Sequence, residues 1–284
     1  MEIELTDGLI ERLTVQKNEF GSKRGNGFLL NVSGSVCFRG AAYLSTYAAL
    51  RSGAGIVCLA SIEKVISAVS ASLHECIFLP LEESEYGTIS SYESEIIIRN
   101  PMRANALLIG CGLSCDDNIR QLVCDIAENI IIPSVFDADA LNALSGNAGI
   151  FKKMKIKPVI TPHYAEMARL CSVEYEKIEK EPLRYATEFA KEYGPTVVLK
   201  SYRTLICTPD GKCFFNDKPN AGLAKGGSGD VLAGIIASLL AQGYSSEDAA
   251  KIGVFVHSKA AEKCRKTKSA YTMLPHDLIE FIEI

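Results

Sequence analysis

The sequence predicts an α/β fold: a mostly parallel central sheet covered by helices on both faces, with a β-hairpin in the C-terminal half. Three observations carry this reading. Short runs that are apolar throughout recur along the chain, as strands buried on both faces require. Helical stretches separate them, so strands and helices alternate. No repeat, low-complexity stretch or linker interrupts the 284 residues, so residues 1–284 are expected to form one domain.

The elements follow in order. Gly27–Val32 is a short apolar run behind a Gly-Asn-Gly turn, hence a strand. Gly40–Ser52 is rich in Ala and Leu and stops at Gly53, hence a helix. Ile56–Ala60 is a strand, Glu63–Leu73 a helix and Cys76–Leu79 a strand. Ala106–Ile109 is a strand halted by Gly110-Cys111-Gly112; Asp117–Asn129 is helical, and Ile131–Phe136 is a strand running into Asp137-Ala138-Asp139. Pro158–Ile160 is a strand that meets Thr161-Pro162-His163, and Tyr164–Leu170 and Pro182–Tyr193 are helices. Thr196–Leu199 is a strand; Thr204–Cys207 and Cys213–Phe215 flank an Asp-Gly turn, a strong hairpin signal. Val231–Gln242 is an apolar helix stopped by Gly243, and Ser246–Lys263 is a further long helix. In parallel sheets ligands bind at the carboxyl ends of strands, so the segments just after strands are where to look.

Composition narrows the function. A net charge of −4 with no basic stripe argues against nucleic-acid binding. The ten cysteines form no C-x-x-C pair and several lie in apolar runs, so reduced, buried thiols in a cytoplasmic protein are expected, without zinc. The N-terminus lacks the basic and apolar regions of a secretory signal, and no run is long enough for a membrane span.

The strongest chemical signal is Asn220–Asp230, with Gly226, Gly227, Ser228 and Gly229 just ahead of an apolar helix. Glycines let successive N–H groups face one point, and a helix N-terminus adds unpaired N–H groups and partial positive charge. Together they form an anion hole suited to phosphate. Asp230 in the first turn would sit beside that anion, where a carboxylate could take a proton from a hydroxyl. The residues equally allow Ser228 as the helix cap and Asp230 as a dipole partner. The run is neither a G-x-x-x-x-G-K-[ST] loop nor a G-x-G-x-x-G fingerprint.

At this point the chain resembles a known family. The run NAGLAKGGSGDVLAGIIASLLAQG looks like the signature of the nucleotide-dependent NAD(P)H-hydrate dehydratases, within the ribokinase-like superfamily. GSVCFRGAAYLSTYAALRSGAGIV, NALLIGCGLS, PSVFDADALNAL, PVITPHYAEMARL and TVVLKSYRTLICTPDG each resemble a segment of that family, in order. The resemblance runs from about Lys23 to the C-terminus, and TPHYAEMARL separates it from other ribokinase-like kinases.

The resemblance implies a lyase that restores NAD(P)H from its hydrated form, NAD(P)HX, with ADP or ATP as co-substrate and Mg²⁺. It implies substrate contacts from Ala41, Gly112, His163 and Asp230, with Asp230 catalytic. It places the nucleotide on Lys200, Ser201, Tyr202, Arg203 and Thr204 and on the loop ending at Gly229. Each residue also has a plainer reading. Ala41 could be a small residue at a helix start, Gly110 and Gly112 a strand-ending turn, His163 a solvated loop residue, and Lys200 a snorkelling strand end. Asp137 and Asp139 could cap the helix near Ala140 or hold magnesium through water; capping fits Asp139 better, and the metal ligands stay open.

Three departures stand out. Ser228 stands where threonine is usual, Cys111 where proline is usual, and Ser201-Tyr202-Arg203 where Lys-Gly is usual. The epimerase domain often fused N-terminally is not expected here, so a separate epimerase is a possible partner, and a homo-oligomer is expected. Two rival readings share the loop. One is a kinase acting on a thiazole or pyrimidine alcohol, whose product keeps the phosphate; the other is a non-catalytic nucleotide-binding protein.

Overall fold

The computed structural model describes residues 2–16, 19–99 and 103–284. Among them ten strands form one sheet: β1 (Glu2–Glu4), β2 (Phe28–Val32), β3 (Ile56–Ile62), β4 (Ile77–Leu81), β5 (Ala106–Ile109), β6 (Ser134–Phe136), β7 (Val159–Ile160), β8 (Thr196–Leu199), β9 (Arg203–Cys207) and β10 (Cys213–Asp217). The spatial order is β1-β10-β9-β8-β7-β6-β5-β2-β3-β4. Only β9 runs against the rest, pairing antiparallel with β8 and β10; every other pairing is parallel. The expected sheet and hairpin are therefore both present.

Thirteen α-helices lie among the described residues: α1 (Asp7–Leu13), α2 (Arg39–Arg51), α3 (Glu63–Ser70), α4 (Ser94–Arg99), α5 (Asp117–Asn129), α6 (Asp139–Ala143), α7 (Ile150–Lys153), α8 (Tyr164–Cys171), α9 (Tyr175–Lys180), α10 (Pro182–Tyr193), α11 (Ser228–Ala241), α12 (Ser246–Cys264) and α13 (Pro275–Ile279). None is long and apolar enough to cross a membrane. The strand side chains alternate between two buried layers. Leu30, Leu107, Ile109, Phe136 and Ile160 join the layer under α5, α8 and α10. Leu29, Ala106, Leu108, Val135 and Val159 join the layer under α11 and α12. That is why the strands read as continuous apolar runs. All ten cysteines are free, and six are buried.

Two boundaries shift for clear local reasons, and two elements were not expected. β6 begins at Ser134 rather than Ile131, because Pro133 has no N–H to donate to the ladder. α11 begins at Ser228, so Gly227 takes the cap position, with φ of 100°, a left-handed conformation that glycine adopts without penalty. β1 and α1, which the pattern did not reveal, complete the sheet edge through the pairing of Glu2 with Cys213.

α11 is apolar on all sides because it is enclosed. Every residue from Val231 to Ala241 is buried, and the helix packs on α2, α12, β5 and β6. α2 and α11 cross at Gly234, where a Cβ would lie 2.3 Å from the Ser45 carbonyl oxygen and 3.0 Å from Ala48 Cβ. On the other side, His257 of α12 anchors the first turn of α11. Its Nε2 lies 3.1 Å from the Ser228 carbonyl oxygen. A carbonyl only accepts, so Nε2 carries the proton. Burial pushes His257 down to about 4, and the imidazole is neutral.

Two tests follow from this packing. Gly→Ala inside a helix ordinarily stabilises by about 1 kcal/mol. Gly234→Ala is expected to do the reverse and cost about 2 kcal/mol, because α2 must be displaced; a raised urea midpoint would show that the crossing has slack. His257 binds a proton more weakly folded than unfolded, so it draws stability down as pH falls from its ordinary 6.5 towards about 4. That interval corresponds to up to about 3 kcal/mol. His257→Gln, which keeps a donor for Ser228, should lose less stability between pH 7 and pH 4.5 than the wild type in urea titrations. Equal losses would remove His257 from the acid response.

Candidate active site

Four neighbouring parallel strands deliver their carboxyl ends to one edge of the sheet. β5 leads into Gly110-Cys111-Gly112, β6 into Asp137, β7 into Thr161-Pro162-His163, and β8 into Lys200. The turn carrying Cys111 is fixed by close approach. A Cβ on Gly112, at φ of 66°, would lie 2.7 Å from the Cβ atoms of Ala41 and Phe38, so Ala41 at the start of α2 packs directly on Gly112.

Asp137 is the centre of the cluster. It is 1% exposed, and its Oδ1 accepts from Thr161 Oγ1 at 2.7 Å and from Lys200 Nζ at 2.7 Å. Lys200 also lies 3.9 Å from Glu166 Oε2. Burial acts to lower the Lys200 ammonium, but the Asp137 and Glu166 carboxylates overcome it and raise it above its ordinary value. Glu166 is itself pushed up, by burial first. Lys200 is thus a buried counter-ion, not a snorkelling strand end.

The first turn of α11 faces this cluster. Gly227 has no side chain to cap the helix; Ser228 N donates to the Lys225 carbonyl at 3.2 Å, and the amides that follow have no cap side chain to meet. The Ser228 hydroxyl is buried and unpartnered, so Ser228 is not the cap. It sits one residue too far into the helix for that role. A Cβ on Gly229 would lie 3.3 Å from Lys200 Nζ, which places this residue beside the ammonium. Around Gly226 there is open space. Asp230 is partly buried, and burial, reinforced by the Asp137 carboxylate, raises it to about 7. Cys111 Sγ and one carboxylate oxygen each of Asp137 and Asp230 lie within 4.8 Å of one another.

His163 caps α8. Its Nδ1 accepts from Ala165 N at 3.1 Å and Glu166 N at 3.2 Å, while Glu166 Oε2 accepts from His163 N at 2.7 Å. Burial, with Lys200 and Arg169 nearby, pushes its pKa down, so His163 is neutral with the proton on Nε2. It is exposed, yet it lies beside the cluster, since it pairs with Lys200 as a parallel bridge. Asp139, expected to cap α6, is instead the first residue of that helix, behind Ala138 at φ 47°. Its carboxylate accepts from Ser114 N at 2.8 Å and ties down the turn after β5.

The segment after Lys200 forms a tight turn: Ser201 Oγ donates to the Arg203 carbonyl at 2.7 Å, and Thr204 Oγ1 to the Ser201 carbonyl at 3.1 Å. Tyr202 is exposed. Arg203 turns to Glu2 at 3.1 Å and stacks over Phe215, 4.1 Å from the ring centre. Asp217, the register partner of Arg203 in the hairpin, lines a cavity of about 460 Å³. Asp217, Lys218, Asn220, Ser258, Glu262 and Arg265 line it, where the chain enters the glycine loop. Sequence reasoning missed this cavity and the roles of Thr161 and Glu166. The capping-box spacing of His163 and Glu166 is the one local signal that could have revealed the latter.

The model of the NAD(P)H-hydrate dehydratase family matches residues 29–283. A bifunctional NAD(P)H-hydrate repair enzyme from Moorella thermoacetica is 35% identical over 262 residues, 92% of this chain and 49% of that one. The chain thus spans about half the length of such bifunctional relatives. Among solved structures, an ADP/ATP-dependent NAD(P)H-hydrate dehydratase from Bacillus subtilis, co-crystallized with ATP/Mg²⁺, is 28% identical, with a TM-score of 0.84 over 99% of this chain and 96% of that one. A ribokinase-like superfamily protein from Enterococcus faecalis is 27% identical, with a TM-score of 0.86 over 99% and 94%. The fold is ribokinase-like, and the chain belongs to the NAD(P)H-hydrate dehydratase family.

Proposed function

We propose that the chain is a single ribokinase-like domain that dehydrates NAD(P)HX to NAD(P)H at the expense of ADP or ATP. The observation that carries the reading is Asp230: a carboxylate raised to about 7 in the first turn of α11, beside uncapped helix amides. A base poised near neutrality next to an anion hole suits proton removal during phosphoryl transfer.

The chemistry divides between the two sides of the cluster. The amides from Gly226 to Gly229 receive the terminal phosphoryl group, and Lys200 offsets its charge. The cavity beside Asp217 and Ser258 has the volume of a nucleoside pocket. Ala41, Gly112 and the Nε2–H of His163 line the substrate side. Asp230 removes the proton of the ring hydroxyl as its oxygen attacks the terminal phosphorus, leaving the nucleotide one phosphate shorter. The carbon–oxygen bond then breaks, phosphate departs and a neighbouring carbon loses a proton, restoring the ring double bond.

The donor set fits Mg²⁺. Asp137 Oδ2 meets the Cys111 thiol at 3.9 Å and Glu166 Oε1 the ring Nε2 of His163 at 3.4 Å, weaker partners than those on the other two oxygens, and both are hard ligands. Mg²⁺ held there, through water, would neutralise phosphate charge. Cytoplasmic location, homo-oligomeric assembly and a separate epimerase partner belong to the same proposal.

The ribokinase-like fold also serves plain kinases, so the fate of the phosphate decides between them. Hydrated NADH with ADP or ATP should give free phosphate and returning dihydronicotinamide absorbance in equal amounts. A stable phosphoester without that absorbance would establish a kinase; neither signal would establish a binding protein. Asp230→Asn is expected to lower turnover by about 10²-fold or more with nucleotide affinity retained. Wild-type turnover should fall as pH drops below about 7, as Asp230 takes up its proton. Activity in Asp230→Asn close to wild type would reduce Asp230 to a helix-start residue.

A further inference from the structure

Two of the ten free cysteines face each other. Cys207 ends β9 and Cys213 opens β10, and they are register partners across the antiparallel hairpin. Thr208 N donates to the Lys212 carbonyl at 3.0 Å, which makes 208–212 a hydrogen-bonded pair and 207–213 a non-hydrogen-bonded one. Facing side chains come closest at such a pair. The two sulfurs lie 3.3 Å apart. A disulfide joins Cβ atoms about 3.5–4.5 Å apart, a spacing that opposed residues of this kind reach without large strand movement. Both cysteines are buried in the layer under α10, where Thr187 Oγ1 lies 3.2 Å from Cys213 Sγ and 3.6 Å from Cys207 Sγ. The bond between the sulfurs, helped by Thr187, holds the Cys213 thiol below its ordinary range against burial, and it raises Cys207.

We propose that Cys207 and Cys213 are a disulfide-forming dithiol, which a small hydroperoxide closes into a staple across the β9–β10 hairpin. The pair sits at the turn end of the hairpin, whereas Lys200 precedes its open end, so the staple needs neither nucleotide nor hydrated cofactor. The Cys213 thiolate attacks one oxygen of hydrogen peroxide; the O–O bond breaks, hydroxide leaves and a sulfenic acid remains. That hydroxide takes up the proton that Cys213 released on ionising. The Cys207 sulfur then attacks Cys213 Sγ, the S–O bond breaks, and the second hydroxide leaves with the Cys207 proton as water. Two electrons have passed from the sulfurs to the peroxide. The bond fixes the pairing register of the hairpin, because a one-residue slip would part the two sulfurs.

The test treats the folded protein with limiting hydrogen peroxide, alkylates the remaining thiols on unfolding and maps the non-reduced peptides by mass spectrometry. Cys207 and Cys213 should appear joined, lighter by two hydrogens than the reduced pair, and dithiothreitol should return both thiols. Cys207→Ala leaves Cys213 with no sulfur to resolve it, so a sulfenic acid should accumulate there and be trapped by dimedone. Cys213→Ala should leave Cys207 an unmodified thiol. Cys37 is exposed, and its oxidation in the same samples shows that the peroxide dose sufficed. The proposal falls if Cys207 and Cys213 stay reduced while Cys37 is oxidised, or if each joins another cysteine instead. It falls equally if dimedone traps Cys207 in Cys213→Ala but not Cys213 in Cys207→Ala.

Discussion

The Asp137–Lys200 ion pair holds the site together. It joins the ends of β6 and β8, two strands separated by β7, and Thr161 at the end of β7 bonds the same carboxylate oxygen. Three adjacent strands are thereby fastened at their functional ends. Breaking a buried pair is far costlier than never having built it, because the surviving charge stays desolvated. Here the cost would spread. Without the ammonium, Asp137, Glu166 and Asp230 would repel one another with no internal counter-charge, and Asp230 would lose the cation that keeps its pKa from rising further. The pair is thus a fold constraint and a setting of the Asp230 carboxylate at once.

The second constraint is the direction of α11. A helix buried on every side cannot rotate or slide without opening the core, so its N-terminus is aimed by packing rather than by the glycine loop. Gly234 allows α2 to approach closely, and α2 in turn carries Ala41 to Gly112. Both halves of the site therefore rest on the α2–α11 contact. His257 adds a neutral donor to the Ser228 carbonyl without placing a second cation near Lys200.

How much of this was legible in the sequence follows from the range of each signal. The interior strands were plain because burial on both faces makes them apolar throughout, and the β9–β10 hairpin because Asp210-Gly211 marks its turn. β1 is three residues long with two of them exposed, and its partner β10 lies some two hundred residues away, so no local pattern marks it. The same limit applies at the site. The glycine loop and Asp230 form a contiguous run and stood out. Asp137 and Lys200 are 63 residues apart, and nothing near either predicts the bond between them. Capping was the expectation for Asp139 and one of two readings for Ser228, because cap residues are recognised by type. The structure starts each helix at that residue, with Gly227 and Ala138 in the cap positions, and so gives the side chain different work.

A chain of net charge −4 can still hold a polyanion, because binding depends on the local field and not on the sum. At the edge of this sheet, however, the protein supplies more negative charge than positive: Asp137, Glu166 and Asp230 face Lys200 and one helix N-terminus. A di- or triphosphate would add to that excess. Two physical responses are available. One is protonation, and Asp230, raised to about 7, is the carboxylate placed to take it. The other is a divalent cation, for which the Asp137 and Glu166 carboxylates are hard ligands. The excess of carboxylates is therefore not an obstacle to nucleotide binding at this edge. It couples the charge arriving with a nucleotide to the ionisation of Asp230.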